Sequence, residues 1–333
     1  MSDIPATMRA IRYHAVGGPE VLQLDELTTP QPQAGEVLLR VRASGLNYAD
    51  IARRYGRYLE PTPLPYIPGS EVAGEIVALG PDVAPQGGMQ VGAAALALAS
   101  SGGYAEYIAL PARTVVPLPA GFDMAQAAAL PLQGLTAYSI LHLSGRMQPG
   151  ETVLVNAAAG GVGTLAVQLA KLGGAGRVVA AAGSDEKLAL ARELGADETI
   201  NYATEDLAER VRAITDGKGA DVILEPVGGE VFNRSLAALA RGGRLVTFGQ
   251  ASGQPGTVDT GRLMARNASV VGFWLAILPA RQMAEGMQAL MTALGAGKLR
   301  VIIGGTYPLA DAARAQTDLE SRRTTGKLVL TVA

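Results

Sequence analysis

Residues 151–166, Glu-Thr-Val-Leu-Val-Asn-Ala-Ala-Ala-Gly-Gly-Val-Gly-Thr-Leu-Ala, read as a buried strand that runs into a glycine turn and then a helix. No other segment constrains the fold as tightly. Val153, Leu154 and Val155 form a short apolar run of strand length. Gly160, Gly161 and Gly163 then allow a tight turn whose backbone N–H groups face an anion at the start of the helix, the arrangement that holds a dinucleotide pyrophosphate. The spacing Ala157-x-x-Gly160-x-x-Gly163 departs from the usual G-x-G-x-x-G, so the pattern alone is weak. Its setting strengthens it, because the turn opens a run of strand-helix pairs. A glycine turn with no ligand is the plain alternative.

Those pairs can be followed along the chain. Strand patterns fall at 152–156, 177–182, 197–200, 221–225 and 244–248, with helical patterns between them at 162–173, 185–194, 205–215 and 231–240. This alternation predicts a parallel, doubly wound sheet, completed by a strand near 269–275. The first 125 or so residues differ: alternating runs such as Glu36–Arg42 and Val72–Ala78, punctuated by Pro and Gly, predict a compact β-rich unit. After residue 280 a helix and strands are expected to fold back onto that first unit.

With 333 residues the chain has room for two domains, each with its own core. The 28 basic and 30 acidic residues nearly balance and no basic cluster stands out, so no nucleic-acid partner is expected. There are no cysteines, which excludes disulfides, thiolate catalysis and thiolate metal ligands. Met1–Thr7 is polar and has no apolar segment behind it, and the longest apolar stretch, Ala268–Ala280, is interrupted by Gly272 and Pro279 and is too short for a bilayer. A cytoplasmic protein without membrane association is the expectation.

Several short motifs occur in order: Met8-Arg-Ala-Ile-Arg12, Gly18-Pro-Glu-Val-Leu22, Gly45-Leu-Asn-Tyr-Ala-Asp50, Ile67-Pro-Gly-Ser-Glu-Val-Ala-Gly74 and Gly103-Tyr-Ala-Glu-Tyr107. Leu130-Pro-Leu-Gln-Gly-Leu-Thr-Ala137, Ala158-Ala-Gly-Gly-Val-Gly163 and Thr324-Thr-Gly-Lys327 complete the series. Together they resemble the zinc-independent quinone oxidoreductases, the zeta-crystallin-like branch of the medium-chain dehydrogenases/reductases. The resemblance implies an α/β fold in which a Rossmann domain, 128–271, is inserted between two segments, 1–127 and 272–333, of a GroES-like substrate domain. It also implies a cofactor in the cleft at the carboxyl ends of the sheet strands, and a homodimer paired through the sheet edge near Ser269–Trp274.

A catalytic zinc needs three protein ligands, and beyond carboxylates this chain offers only His14 and His142. Zinc-dependent relatives place a thiolate where Asn47 stands and Gly-His-Glu where Gly69-Ser70-Glu71 stands, so no metal site is expected. Glu71 reads as a residue that orders its loop by hydrogen bonding.

NAD-preferring sites carry an acid about 20 residues past the glycine turn, where it repels a 2′-phosphate. Here the corresponding strand end is Ala182. Ser184 and Lys187 follow within one turn of the next helix, and the family resemblance adds Tyr202 of the Asn201-Tyr202 pair as a further holder of a 2′-phosphate. NADPH is the expected cofactor. Asp185, three positions past the strand end, reads as the helix N-cap. By position in the family, Ala158, Gly160, Gly161, Val162 and Gly163 form the phosphate turn, Thr136 lies near the nicotinamide, Phe248 and Gly249 lie beside its ribose, and Arg322 reaches the cofactor from the tail.

Without metal, flavin or thiol, catalysis must rest on orientation and on polar groups facing the acceptor. Asn47 is the candidate for holding the nicotinamide half of the cofactor or the acceptor; the alternative makes it a helix N-cap completed by Asp50. Tyr58 matches the Gly-x-Tyr that lines the acceptor pocket of quinone reductases and donates a proton in related enoyl-thioester reductases. A second tyrosine common six residues earlier is replaced by Ala52, which suggests a wider pocket. The expected activity is NADPH-dependent reduction of a quinone or other conjugated carbonyl such as an enone. An enoyl-thioester reductase is the alternative enzyme, and an NADPH-binding structural or RNA-binding protein the alternative without catalysis.

Overall fold

The computed structural model describes residues 4–333 and contains two compact units. One comprises the chain through Leu132 together with Ile302–Ala333; the other is the continuous segment Gln133–Val301.

The first unit opens with a hairpin-like pair, β1 (Thr7–Arg12) and β2 (Gln23–Thr28), and then builds an antiparallel sheet around β3 (Glu36–Gly45). Its further strands are β4 (Glu71–Leu79), β5 (Ala94–Leu98), β6 (Tyr107–Pro111) and β7 (Val115–Pro117). β3 pairs with both β4 and β6, β4 with β5, and β5 with β7. The sequence of β3 explains its central place. Val37, Leu39 and Val41 join one buried cluster with Val72 and Ile76, whereas Leu38 on the opposite face packs with Met8 and Tyr107. Two short helices, α1 (Tyr48–Arg54) and α2 (Met124–Ala128), complete the segment.

Helix α3 (Pro131–Ser139) leads into the second unit, where strands and helices alternate. The order is β8 (Thr152–Asn156), α4 (Gly161–Leu172), β9 (Arg177–Ala182), α5 (Asp185–Glu193), β10 (Glu198–Asn201) and α6 (Leu207–Ile214). β11 (Ala220–Glu225), α7 (Gly229–Ala237), β12 (Leu239–Thr247), α8 (Thr260–Arg266) and β13 (Ser269–Gly272) follow. The six strands are parallel in the order β10-β9-β8-β11-β12-β13, which is the Rossmann arrangement. The apolar runs of β8, β9 and β11 are buried on both faces; Leu154, Val179, Ile223 and Leu245 share one core with Leu207, Val211 and Phe232 of the covering helices. The chain reverses its direction of strand addition between β8 and β11, where such sheets bind ligands.

Helix α9 (Ala280–Gly295) belongs to this second unit, so the crossing back comes at Ile302, later than the return expected from residue 272. Packing supplies the reason: Leu290 is fully buried, and the missing side chain of Gly286 lets α9 press against Leu135 and Tyr138 of α3. Only then do β14 (Ile303–Pro308), α10 (Ala312–Glu320) and β15 (Lys327–Thr331) rejoin the first unit. β15 pairs antiparallel with β3, with Val329 opposite Gly45, which brings Lys327 beside the end of β3. No helix among the described residues is long and apolar enough to cross a membrane.

Candidate functional site

The glycine turn leaves β8 at the point where the sheet reverses. Gly160 is the N-cap of α4 in an extended conformation, so the amides of Gly161, Val162 and Gly163 form the first turn, where no preceding carbonyl can satisfy them within the helix. Ala158 is fully buried beneath. A side chain at Gly163 would overlap the Ala157 carbonyl and stand 2.7 Å from the Ala158 α-carbon, so the helix approaches the turn too closely for any Cβ. Ala157 itself has φ +49°, a left-handed conformation that costs a residue other than glycine about 1–2 kcal/mol. That strain marks the place where the usual first glycine is missing.

A residue that the sequence reading passed over covers this turn. The Gln133 carboxamide lies directly on the α-carbon of Gly161, filling the space a side chain there would need. Gln133 and Thr136 are both buried and sit three residues apart on α3, hence on neighbouring positions of one face. Gln133 belongs to the Leu130–Ala137 motif, which was its only signal in the sequence.

The ends of β9 and β10 bring the next group together. Ala182 stands opposite Asn201 in the ladder, so Gly183-Ser184 and Tyr202 leave the sheet side by side. The Tyr202 ring lies 3.4 Å from the place a Gly183 Cβ would occupy. Ser184, not Asp185, is the N-cap of α5: its Oγ accepts from the Lys187 N–H at 3.4 Å. Asp185 instead accepts from Asn201 Nδ2 at 3.0 Å, which draws its carboxylate toward the β10 loop. Lys187 is half-buried one turn into the helix. At the neighbouring strand ends, Phe248 donates its N–H to the Glu225 carbonyl at 3.2 Å. A Cβ on Gly249 would lie 2.9 Å from the Pro226 carbonyl. Burial raises the Glu225 carboxyl above its usual range, although the N–H groups of Val227 and Gly228 donate to it.

In the first unit, Asn47 is buried at the N-cap of α1 and its N–H donates to Asp50 Oδ2 at 2.9 Å. The capping box with Asp50 is thus present, and the Asn47 carboxamide makes further contacts besides. Its Nδ2 donates to Glu71 Oε1 at 2.9 Å, and its Oδ1 accepts from Lys327 Nζ at 2.8 Å. Lys327 also pairs with Glu71, whose second oxygen accepts the Leu132 N–H at 2.8 Å. Glu71 therefore does order its surroundings, but as the buried partner of a lysine whose role the sequence reading missed. Desolvation lowers the Lys327 pKa, opposed chiefly by Glu71. Asp50 accepts from Gly69 N–H and Tyr104 Oη, each at 3.2 Å, and burial pushes its pKa up to about 6.

Tyr58 is half-buried in the loop after α1, with the Arg53 guanidinium 3.9 Å from its ring centroid. Arg53 had no local signal; Lys327 closes the Thr324–Lys327 motif, which gave it no role. Arg322 is exposed at the end of α10 and lies beside the Tyr48 phenol.

Residues 33–120 match the family profile for the alcohol dehydrogenase GroES-like domain, and residues 161–293 match that for zinc-binding dehydrogenases. The chain is 40% identical over 327 residues to a quinone oxidoreductase of Pseudomonas aeruginosa, covering 97% of this chain and 99% of that one. Among solved structures it is similar to a mycobacterial protein complexed with NADPH, at 37% identity and a TM-score of 0.91, over 97% of this chain and 100% of the other. Escherichia coli quinone oxidoreductase complexed with NADPH is similar at 36% identity and a TM-score of 0.90, over 98% and 100%.

Proposed function

We propose, from the fact that this chain belongs to the quinone oxidoreductase family of the medium-chain dehydrogenases/reductases, that it catalyses the NADPH-dependent reduction of quinones and related conjugated carbonyls. One observation carries the cofactor half of this reading: where NAD-preferring sheets present an acid, Ala182 is followed by Ser184, Lys187 and Tyr202. The residues present fit a phosphorylated dinucleotide. The N-terminus of α4 supplies amides for the pyrophosphate, and Gly163 lets that helix approach the turn more closely than any Cβ would allow.

Bound NADPH supplies the hydride that the acceptor receives. Ser184, Lys187 and Tyr202 would hold the 2′-phosphate and the turn through Gly160, Gly161, Val162 and Gly163, above the buried Ala158, would hold the pyrophosphate; Thr136, Phe248, Gly249 and Arg322 would complete the cofactor site by their positions in the family. Asn47 aligns the nicotinamide half, and Tyr58, steadied by the Arg53 guanidinium, shapes the space for the acceptor.

The acceptor class is tested at Tyr58. A quinone oxygen that gains charge can be protonated by solvent, whereas reduction of an enoyl-thioester needs a proton at carbon, for which a positioned acid contributes typically 10²- to 10⁴-fold. With quinones, Tyr58→Phe is expected to lower kcat less than about tenfold; with enoyl-thioesters, a loss of about a hundredfold or more is the signature of the alternative enzyme. A panel of quinones, enones and enoyl-thioesters assayed by NADPH oxidation decides it. Wild-type preference for enoyl-thioesters overturns the quinone reading.

We also read the protein as a zinc-independent homodimer. Zero cysteines and two histidines leave few ligands, and no group of three or more His, Cys, Asp or Glu suited to a metal occurs among the described residues. β13 is the outer strand of the parallel sheet, with one edge unpaired, and Met264 and Ile277 flank it as exposed apolar side chains. Purified protein is expected to run as a dimer in light scattering and to lack stoichiometric zinc by elemental analysis. A monomer at micromolar concentration refutes the first reading, and one tightly held zinc per chain refutes the second.

A further inference from the structure

The buried pair Lys327–Glu71 has no evident reason to exist for stability. Both side chains are almost wholly withdrawn from solvent, with 2% and 0% exposure, and removing two charges from water offsets most of what their attraction returns. The fold also yields space to them: at Gly45 a Cβ would collide with the Glu71 carboxylate and the Lys327 side chain. Apolar residues of similar volume would fill the same space without charge. What the pair does, in geometric terms, is grip one carboxamide from both ends.

An ammonium can only donate and a carboxylate can only accept. Lys327 therefore takes Asn47 Oδ1 at 2.8 Å and Glu71 takes Asn47 Nδ2 at 2.9 Å, and a flipped carboxamide would set donor against donor and acceptor against acceptor. The charged pair thus enforces an orientation that the Gly45 carbonyl, 3.4 Å from Asn47 Nδ2, also favours. Glu71 is held in turn by the Leu132 N–H, which fixes the carboxylate that does the gripping.

We propose that Lys327 and Glu71 are positioning residues that act through the Asn47 carboxamide on the nicotinamide half of the cofactor. This rests on the reading that Asn47 aligns that half. It predicts an effect confined to one end of the dinucleotide, which a general loosening of the fold would not produce.

The test compares NADPH with adenosine 2′,5′-bisphosphate, a fragment that lacks the nicotinamide. In Lys327→Met, NADPH is expected to bind about three- to tenfold more weakly, the loss of one hydrogen-bonded contact, while the fragment binds as it does to wild type. Because a lone buried Glu71 could keep that variant from folding, the charge-free pair Lys327→Met/Glu71→Gln is measured beside it and is expected to show the same split. Asn47→Ala should show it too, and adding Lys327→Met/Glu71→Gln to Asn47→Ala should weaken NADPH no further. Equal weakening of NADPH and fragment, unchanged NADPH binding by the folded charge-free pair, or additive losses in the triple variant each overturn the proposal. These titrations need no acceptor. Failure of the quinone assignment would appear instead as wild type that binds NADPH tightly and reduces no quinone.

Discussion

Lys187→Ala is expected to weaken NADPH binding by about ten- to a hundredfold and to leave NADH binding nearly unchanged, since a charge-assisted hydrogen bond contributes about 1.5–3 kcal/mol. The selectivity follows from where the residues lie. Ala182 ends β9 without the acid that would repel a 2′-phosphate, and the nearest candidate for that repulsion, Asp185, is engaged by Asn201 Nδ2 at 3.0 Å. Lys187 stands one turn into α5 behind the Ser184 cap, with the Tyr202 ring against Gly183 beside it. Titrating both cofactors into wild type and variant checks the prediction. Wild type that binds NADH as well as NADPH, or a variant that loses both equally, contradicts it.

The second large effect is expected at Gly163. Gly163→Ala places a methyl group into the Ala157 carbonyl and 2.7 Å from the Ala158 α-carbon, and because both obstacles are backbone no rotamer change relieves them. Overpacking of this kind costs about 1–3 kcal/mol, so the variant should melt several degrees lower. Its NADPH affinity should fall more than its stability suggests, because α4 must shift and its N-terminal amides shift with it. A misplacement of about 1 Å in a positioned group can cost about a hundredfold. Thermal unfolding with and without NADPH separates the two losses. Unchanged melting together with unchanged affinity would show that the close approach is not needed.

The parallel sheet was legible in the sequence because its information is local. The inner strands of the second unit are apolar runs followed within a few residues by a glycine or a cap and a helical repeat, and β8, β9 and β11 lie where those signals put them, whereas β12 begins at Leu239, five residues before the expected 244. The cap of α5 was misread because Ser184 and Asp185 are adjacent and both residue types cap well; only the ladder partner Asn201, which draws Asp185 away, decides between them. Helix α9 carries an amphipathic pattern, but nothing in such a pattern says which unit it packs on, and Gly286 against Tyr138 settles that in three dimensions. Lys327 was unreadable for a stronger reason. Its two partners lie 256 and 280 residues away, and nothing short of the β15–β3 register brings them together.

That separation has a consequence for the order in which the molecule is made. The Rossmann unit is one uninterrupted stretch, Gln133–Val301, so all six of its strands leave the ribosome before β15 is synthesised. The first unit is translated early and finished late: Asn47 and Glu71 wait, without the cation that lies between them in the folded chain, until Lys327 emerges. Domains fold as units during synthesis, so the nascent protein gains its nucleotide sheet first and the polar triad around Asn47 last. Chains cut short before Lys327 would keep every strand of the nucleotide sheet and lack this triad, which is assembled only after that sheet has been made.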